Sequence, residues 1–200
     1  MYSQHDEEKY VLEAVGDKVG IFLDIGANDG RYLSNVLALI ERGWSGIMVE
    51  ANPVTFTRLV AHHGDNPKLD LVCAAIGFSS GLMPMWPAKS DDGLSTVNAK
   101  QRISRAAEAN FGEPYFVAMV TLASLLSRFN QQVSLGIDVL SIDVEGDSVG
   151  LLLEFPFGYC RPKVIVVEHD GNIETCERCV ESFRYKRVAV NNENLVFVRG

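Results

Sequence analysis

The sequence has no long hydrophobic run, no excess of positive charge and few cysteines, and each shortage excludes something. No stretch approaches the ~18 consecutive apolar residues that a membrane-spanning helix needs, so no membrane partner is expected. The first twenty residues, MYSQHDEEKYVLEAVGDKVG, hold neither the basic leader nor the apolar stretch of a secretory signal. A cytoplasmic location is the expectation. Basic side chains number 18 against 26 acidic ones, a net charge of −8, so nucleic acid is not a default partner. Lys100, Arg102 and Arg105 form a local basic run that reads first as a solvated helix face. Of the four cysteines, Cys73 lies in an apolar run and is expected in the core. The CERC of residues 176–179 has no second CxxC to complete a zinc site and sits in a helical pattern, so neither metal nor redox chemistry is expected there. Repeats, linkers and low-complexity segments are absent too. A chain of 200 residues with 47% hydrophobic content suits one domain, residues 1–200.

What is present is an alternation of strand-like and helix-like patterns. GIFLDI reads as a strand, and Leu33, Val36, Leu37 and Ile40 then place one apolar stripe on a helix that Gly43 ends. GIMVE is a second strand. Asn52 and Pro53 read as N-cap and first-turn proline of a helix carrying Phe56, Leu59 and Val60. LDLVCAAIG reads as a third strand, apolar on both faces as in a covered parallel sheet. Residues 82–116 break the rhythm with Pro, Gly, Ser and Asp, and read as an insertion: an edge strand at 82–87, a loop, a polar helix near 100–110 and a partner strand at YFVAMV. Thr121 then caps a helix with Leu122, Leu125, Leu126 and Phe129 on one stripe. IDVLSID and KVIVVEH are strands, SVGLLLEF and NIETCERCVESF helices, and YKRVAV–NNEN–LVFVR a closing hairpin. The expectation is an α/β fold with a mostly parallel sheet, helices on both faces and a C-terminal antiparallel hairpin.

The first strand runs into Asp24-Ile25-Gly26-Ala27-Asn28-Asp29-Gly30. A dinucleotide fingerprint needs G-x-G-x-x-G, and Asn28 stands at its second glycine. Carboxylates at Asp24 and Asp29 would face a pyrophosphate unfavourably and an ammonium or sulfonium favourably. The loop therefore suits S-adenosylmethionine better than NAD, with Asp24 reaching the amino group. Glu50, at the end of the second strand, can accept from both ribose hydroxyls, a feature that SAM and NAD sites share. Ala74, Ala75 and Ile76 are small and apolar enough to flank an adenine.

The ordered set YSQ, FLDIGANDGRYLSN, GWSGIMVEANP, AAIG, VTLASLL, IDVLSIDVEGDSVGLL and PKVIVVEHD resembles the FkbM family of SAM-dependent methyltransferases over nearly the whole chain. The resemblance implies a class I methyltransferase (Rossmann-like) sheet with SAM as cofactor, and methyl transfer to a hydroxyl of a small molecule or glycan. It also implies cofactor contacts from Asp24, Gly26, Ala27, Asn28, Gly30, Glu50, Ala51, Asn52, Ala74, Ala75 and Asp143. After YSQ the chain reads HDEE, with acids where the family more usually has glycine. In such a sheet the fourth and fifth strands face the methyl group. They bring Asp143 and Glu145, then Glu168, His169 and Asp170. Asp143 can hold the amino group or act as base, and His169 is the residue best matched to neutral pH. The acids could instead hold a divalent cation, although no compact ligand motif supports a metal. Two readings compete: an NAD-dependent oxidoreductase, which Asn28, Asp29 and the hairpin disfavour, and a non-catalytic SAM-binding scaffold. A homo-oligomer stays open.

Overall fold

The computed structural model describes residues 2–90 and 92–200. After α1 (Glu7–Val15), the chain alternates as β1 (Ile21–Ile25), α2 (Leu37–Glu41), β2 (Ser45–Glu50), α3 (Pro53–His63) and β3 (Leu69–Cys73). Then come β4 (Ala75–Gly77), β5 (Gly81–Met85), a 3-10 turn at Asp92–Leu94, α4 (Ala99–Ser104), α5 (Ala106–Ala109) and β6 (Tyr115–Thr121). The remainder is α6 (Leu122–Arg128), α7 (Asn130–Leu135), β7 (Val139–Ile142), α8 (Ser148–Glu154), β8 (Val164–Glu168), α9 (Ile173–Glu181), β9 (Tyr185–Val190) and β10 (Asn194–Arg199).

Seven strands form one sheet in the order β3-β2-β1-β7-β8-β10-β9. Every pairing from β3 to β8 is parallel, and β10 runs antiparallel to both neighbours, so the expected closing hairpin is present. The chain builds outward from β1 to β3, then returns to place β7 against β1. The carboxyl ends of β1 and β7 therefore mark the reversal of strand order, where such sheets open a crevice.

Strand alternation divides the core in two. Leu23, Ile25, Ile47, Leu140 and Val167 face one side, where Leu125, Leu151, Leu152, Cys176 and Val180 cover them. Phe22, Met48, Val139 and Val166 face the other, under Val11, Val15, Leu39 and Leu59. Gly46 is needed because any Cβ there would enter the ring of Phe22. Trp44, fully buried, packs just before β2.

Three local expectations change. The helix after β1 starts only at Leu37, because Asp29 Oδ1 accepts the N–H groups of Arg31 and Tyr32 and Ser34 Oγ those of Val36 and Leu37. These side-chain turns compete with helical bonding, and Leu33 takes a left-handed φ of 53° between them. The LDLVCAAIG run is two strands: β3 is the sheet's half-exposed edge, leaving Cys73 exposed, whereas β4 pairs with β6 in a separate three-stranded sheet, β4-β6-β5. Val60 is exposed, and Thr55, Leu59 and His63 form the buried face of α3. Asn52 and Thr121 do cap α3 and α6, accepting from Val54 N and Ser124 N.

Candidate active site

A cleft opens at the reversal point, and its first half is made by the loops after β1 and β2. The N–H groups of Gly26 and Ala27 both donate to Val49 O at 2.9 Å. Gly26 has φ 91°, and a Cβ there would collide with the carbonyl oxygen of Asp143. Close approach of β7, rather than of a ligand, thus demands this glycine. Asn28 holds φ 50°, which asparagine tolerates, and its Oδ1 accepts Asp29 N at 2.7 Å.

Glu50 ties the two loops together. Its Oε2 accepts Asn28 N at 3.0 Å and its Oε1 accepts Asn52 N at 2.6 Å. Burial pushes the carboxyl up to about 7 despite these donors. Each oxygen keeps a further lone pair, so a pair of hydroxyls can still be bound. Asp24 is almost fully buried, and burial pushes it up to about 6, moderated by a hydrogen bond to Ser141. Asn35 Nδ2 donates to the same Ser141 Oγ at 3.3 Å. A buried carboxyl in that state is stabilised by any cation brought beside it.

Of the cofactor residues expected from sequence, Asp24, Gly26, Ala27, Asn28, Glu50, Ala51, Ala74, Ala75 and Asp143 line the cleft. Asp29, Gly30 and Asn52 do not. Asp29 is spent on the Arg31 and Tyr32 N–H groups; burial opposes its charge, but these donors hold it below the usual carboxylate range. Gly30 O binds His63 Nε2 at 3.1 Å, and Asp29 O binds His62 Nδ1 at 2.9 Å, so α3 braces the loop from behind. Asn52 accepts from Tyr115 OH at 2.8 Å and donates to Ser95 Oγ at 3.3 Å, fastening the insertion. From residues 82–116, Met85, Leu94, Ser95 and Val97 join Ala74, Ala75 and Ile76 in the cleft lining, with Met85 and Val97 packed in one cluster with Ala75.

The second half of the cleft is acidic. Asp143, Glu145 and Glu168 place carboxylate oxygens within 4.8 Å of one another at the ends of β7 and β8. Oxygens so spaced could hold a hard cation, and the protein itself delivers a guanidinium. Arg105, at the junction of α4 and α5, sets Nη1 2.8 Å from Glu145 Oε2 and Nη2 3.5 Å from Glu168 Oε1. Burial pushes Glu145 up to about 8, with the Glu168 charge adding to the rise and Arg105 opposing it. Asp143 and Glu168 are both raised, chiefly by burial, with the charge of Glu145 adding to the rise at Asp143 and that of Asp143 to the rise at Glu168. Ser148 Oγ donates to Glu168 Oε2 at 3.1 Å.

His169 lies elsewhere. It is buried outside the cleft lining, with Nε2 3.1 Å from Asn191 O and Nδ1 accepting Gly171 N at 2.9 Å. Both ring nitrogens are committed to the turn around β10, so the geometry speaks against the expected base. The run after YSQ also finds its place. Glu7 Oε1 accepts from Asn191 Nδ2 and Asn194 Nδ2 at 2.8 and 2.9 Å, and Glu8 Oε2 accepts Tyr2 N at 2.7 Å. These acids anchor the segment whose Gln4 lines the cleft. Asn194, also in the lining, keeps a buried Oδ1 with no partner among the described residues, an acceptor suited to a donor on a ligand. Cys176 and Cys179 lie on α9 with thiols raised by burial, against a reactive role, and Trp86 stacks under Arg102, 5.3 Å away, outside the lining.

Sequence reasoning missed Arg105, Gln101, Ser141, Asn35 and Gln4. Gln101 and Arg105 share a helix spacing of four, a faint signal, but nothing local announced a partner forty residues on. The donor set as a whole offers carboxyls for a cationic amino-acid tail, a carboxylate for a diol and apolar walls for a flat ring. That chemistry fits S-adenosyl-L-methionine and offers no cradle for a pyrophosphate.

A comparison with curated protein sequences gives no significant match. Among solved structures, a methyltransferase FkbM from Methylobacillus flagellatus is 10% identical, with a TM-score of 0.57 over 91% of this chain and 44% of its own. This chain therefore spans less than half of that one. A protein of the NADB-Rossmann superfamily from Streptococcus agalactiae is 15% identical, with a TM-score of 0.51 over 99% of this chain and 69% of its own. The Streptococcus pneumoniae protein Sp1610, in complex with S-adenosyl-L-methionine, is 16% identical, with a TM-score of 0.49 over 96% and 72%. At these identities the likeness concerns the fold, a Rossmann-like sheet. The family model of the methyltransferase FkbM domain matches residues 24–189, from the acid that ends β1 to the last strands. The chain thus belongs to the FkbM family of SAM-dependent methyltransferases.

Proposed function

We propose that this methyltransferase acts on a hydroxyl of a small molecule or glycan, using a carboxylate of the β7–β8 cluster as base. The supporting observation is the continuity of one cleft, from Asp24 and Glu50 to Asp143, Glu145 and Glu168. Bound SAM supplies an activated methyl group on a cationic sulfur. The residues have the remaining tasks. Asp24 and Asp143 receive the amino group, Glu50 the ribose hydroxyls, and Ala51, Ala74, Ala75 and Ile76 the adenine. Ser141 and Asn35 orient Asp24. The acceptor would enter beside Glu145, whose carboxylate would take the hydroxyl proton. A carboxyl raised toward neutral pH is better matched to this than an ordinary glutamate. His169 is left to hold the hairpin turn.

The lining also bears on the acceptor's class. Among the described residues of the lining, seven carboxyl groups (Asp24, Glu50, Asp143, Glu145, Asp147, Glu168, Glu193) face a single cationic side chain, Arg105. A phosphate-rich acceptor would meet repulsion there, so the proposed acceptor is neutral or cationic and not a nucleic acid. Incubating the protein with methyl-labelled SAM and a metabolite or glycan extract, followed by mass spectrometry, tests this reading. Label in a hydroxylated small molecule or sugar is the expected result. Label confined to nucleic acid, or calorimetry showing NAD bound and SAM silent, overturns it.

A further inference from the structure

We infer that Arg105 and Gln101, carried by residues 82–116, are positioning residues that orient Glu145 and favour its ionised form as the base of the reaction. The inference rests on the proposed reading of the cleft and deepens it. Glu145 occupies a left-handed backbone conformation, φ 52°, followed by Gly146 at φ 103°. A glutamate rarely adopts that conformation unless its surroundings impose it. The surroundings here are the insertion. Thr96 Oγ1 donates to Glu145 O at 2.9 Å, and Asn98 Nδ2 donates to Gly146 O at 3.2 Å and to Asp147 Oδ1 at 2.9 Å. Gln101 Nε2 and Arg105 Nη1 then converge on one oxygen, Glu145 Oε2, at 3.3 and 2.8 Å. Glu145 belongs to the cleft lining, and both of these donors leave its other oxygen, Oε1, uncontacted.

The two remaining acids are less suited. Glu168 spends Oε2 on Ser148 and Oε1 on the second arm of Arg105. Asp143 lies between the like charges of Glu145 and Asp24, on the side proposed for the cofactor. A base must be charged to act, and the groups around Glu145 work against that. Glu168 and Asp170 face it from β8 and the turn that follows, while Asp143 and Asp147 flank it on its own loop. Arg105, itself beside Glu108 and Asp170, is the cationic side chain opposing them, and its side chain is three-quarters buried, where a charge pair is weakly screened. An insertion that sequence presents as an appendage thus completes the proton-accepting half of the site.

The test needs neither SAM nor an acceptor. Protein carrying ¹³C at the glutamate side-chain carboxyls is titrated by NMR from pH 5 to 10, as wild type, Arg105→Gln and Arg105→Lys. Glu145→Gln and Glu168→Gln identify their own signals by removing them. In Arg105→Gln the Glu145 midpoint is expected to rise by about one pH unit or more, a tenfold loss of ionised base near neutral pH. Arg105→Lys, which keeps a charge but loses the two-armed fork, is expected to raise Glu168 more than Glu145. Should Arg105→Gln not fold, the lysine variant decides. A Glu145 midpoint unmoved in a folded Arg105→Gln, or both midpoints unmoved in Arg105→Lys, overturns the inference. Calorimetry of SAM on the wild type tests the methyltransferase reading separately, so failure of one is distinguishable from failure of the other.

Discussion

The two halves of the cleft are built by opposite means. The half proposed for the cofactor is local: Asp24, Gly26, Asn28 and Glu50 sit at the ends of two adjacent parallel strands and on the turns that follow, and one carboxyl, Glu50, pins both turns through backbone N–H groups. The half proposed for the acceptor is assembled across the chain, with Arg105 reaching Glu145 and Glu168, and Thr96 and Asn98 clasping the loop after β7. Backbone geometry fixes the first, and side-chain charge fixes the second. Substitutions in the cofactor half should therefore affect binding and stability, whereas those in the acceptor half should affect proton transfer and its pH dependence.

The largest expected effect would come from Gly26→Val. It puts a β-branched residue at φ 91° and against the Asp143 carbonyl. Loss of measurable SAM binding and of stability on the order of 3 kcal/mol are expected, read by calorimetry and thermal melting. A stable variant that still binds SAM would show that the β1–β7 contact is softer than drawn. Next comes Glu50→Ala, expected to weaken SAM by about 1.5–3 kcal/mol, roughly 10- to 150-fold. Its backbone partners Asn28 N and Asn52 N lose their acceptor too, so some loosening of the loops should accompany it in hydrogen exchange. Unchanged affinity would make Glu50 a purely structural strut.

A pH experiment sharpens the contrast further. Asp24 and Glu50 are raised to about 6 and about 7 in the folded protein, above the usual carboxylate range. The native state then binds more protons than the unfolded one. Their contribution to stability is therefore fully present below about pH 4 and is lost progressively as pH rises through 6 to 7. The cofactor-free melting temperature should fall from pH 5 to pH 8. SAM, a cation, favours the ionised acids, so its affinity should rise over the same interval. A melting temperature that climbs steadily from pH 5 to 8 would contradict the burial of these groups.

Smaller still is the expected effect of His169→Ala. Methyl-transfer rate and SAM affinity should stay within about twofold of wild type, and stability should drop by about 1–2 kcal/mol as the bonds to Asn191 O and Gly171 N disappear. A rate loss of a hundredfold at unchanged stability would return the histidine to the acceptor half as base. The smallest expected effect is that of a chelator. Because Arg105 brings positive charge to the acids, activity is expected to persist in EDTA, whereas its loss and recovery with Mg²⁺ would place a cation there.

Sequence alone determined the alternation of strands and helices, the caps at Asn52 and Thr121, the closing hairpin and most of the residues that line the first half of the cleft. These are legible because short-range rules govern them: apolar period, turn residues and an acid at a strand's end. The same rules misplaced Leu33, Cys73 and His169. Side-chain turns from Asp29 and Ser34 outcompeted the helix, β3 fell at the sheet's edge, and the His169 ring found backbone partners in the turn before β10. Only the tertiary structure decided that Arg105, which reads as one more solvated cation, turns inward. Its three-quarters burial and its two carboxylate partners come from β7, β8 and the insertion folding together, and the free energy of such an ion pair depends on a separation and a dielectric that no local pattern encodes.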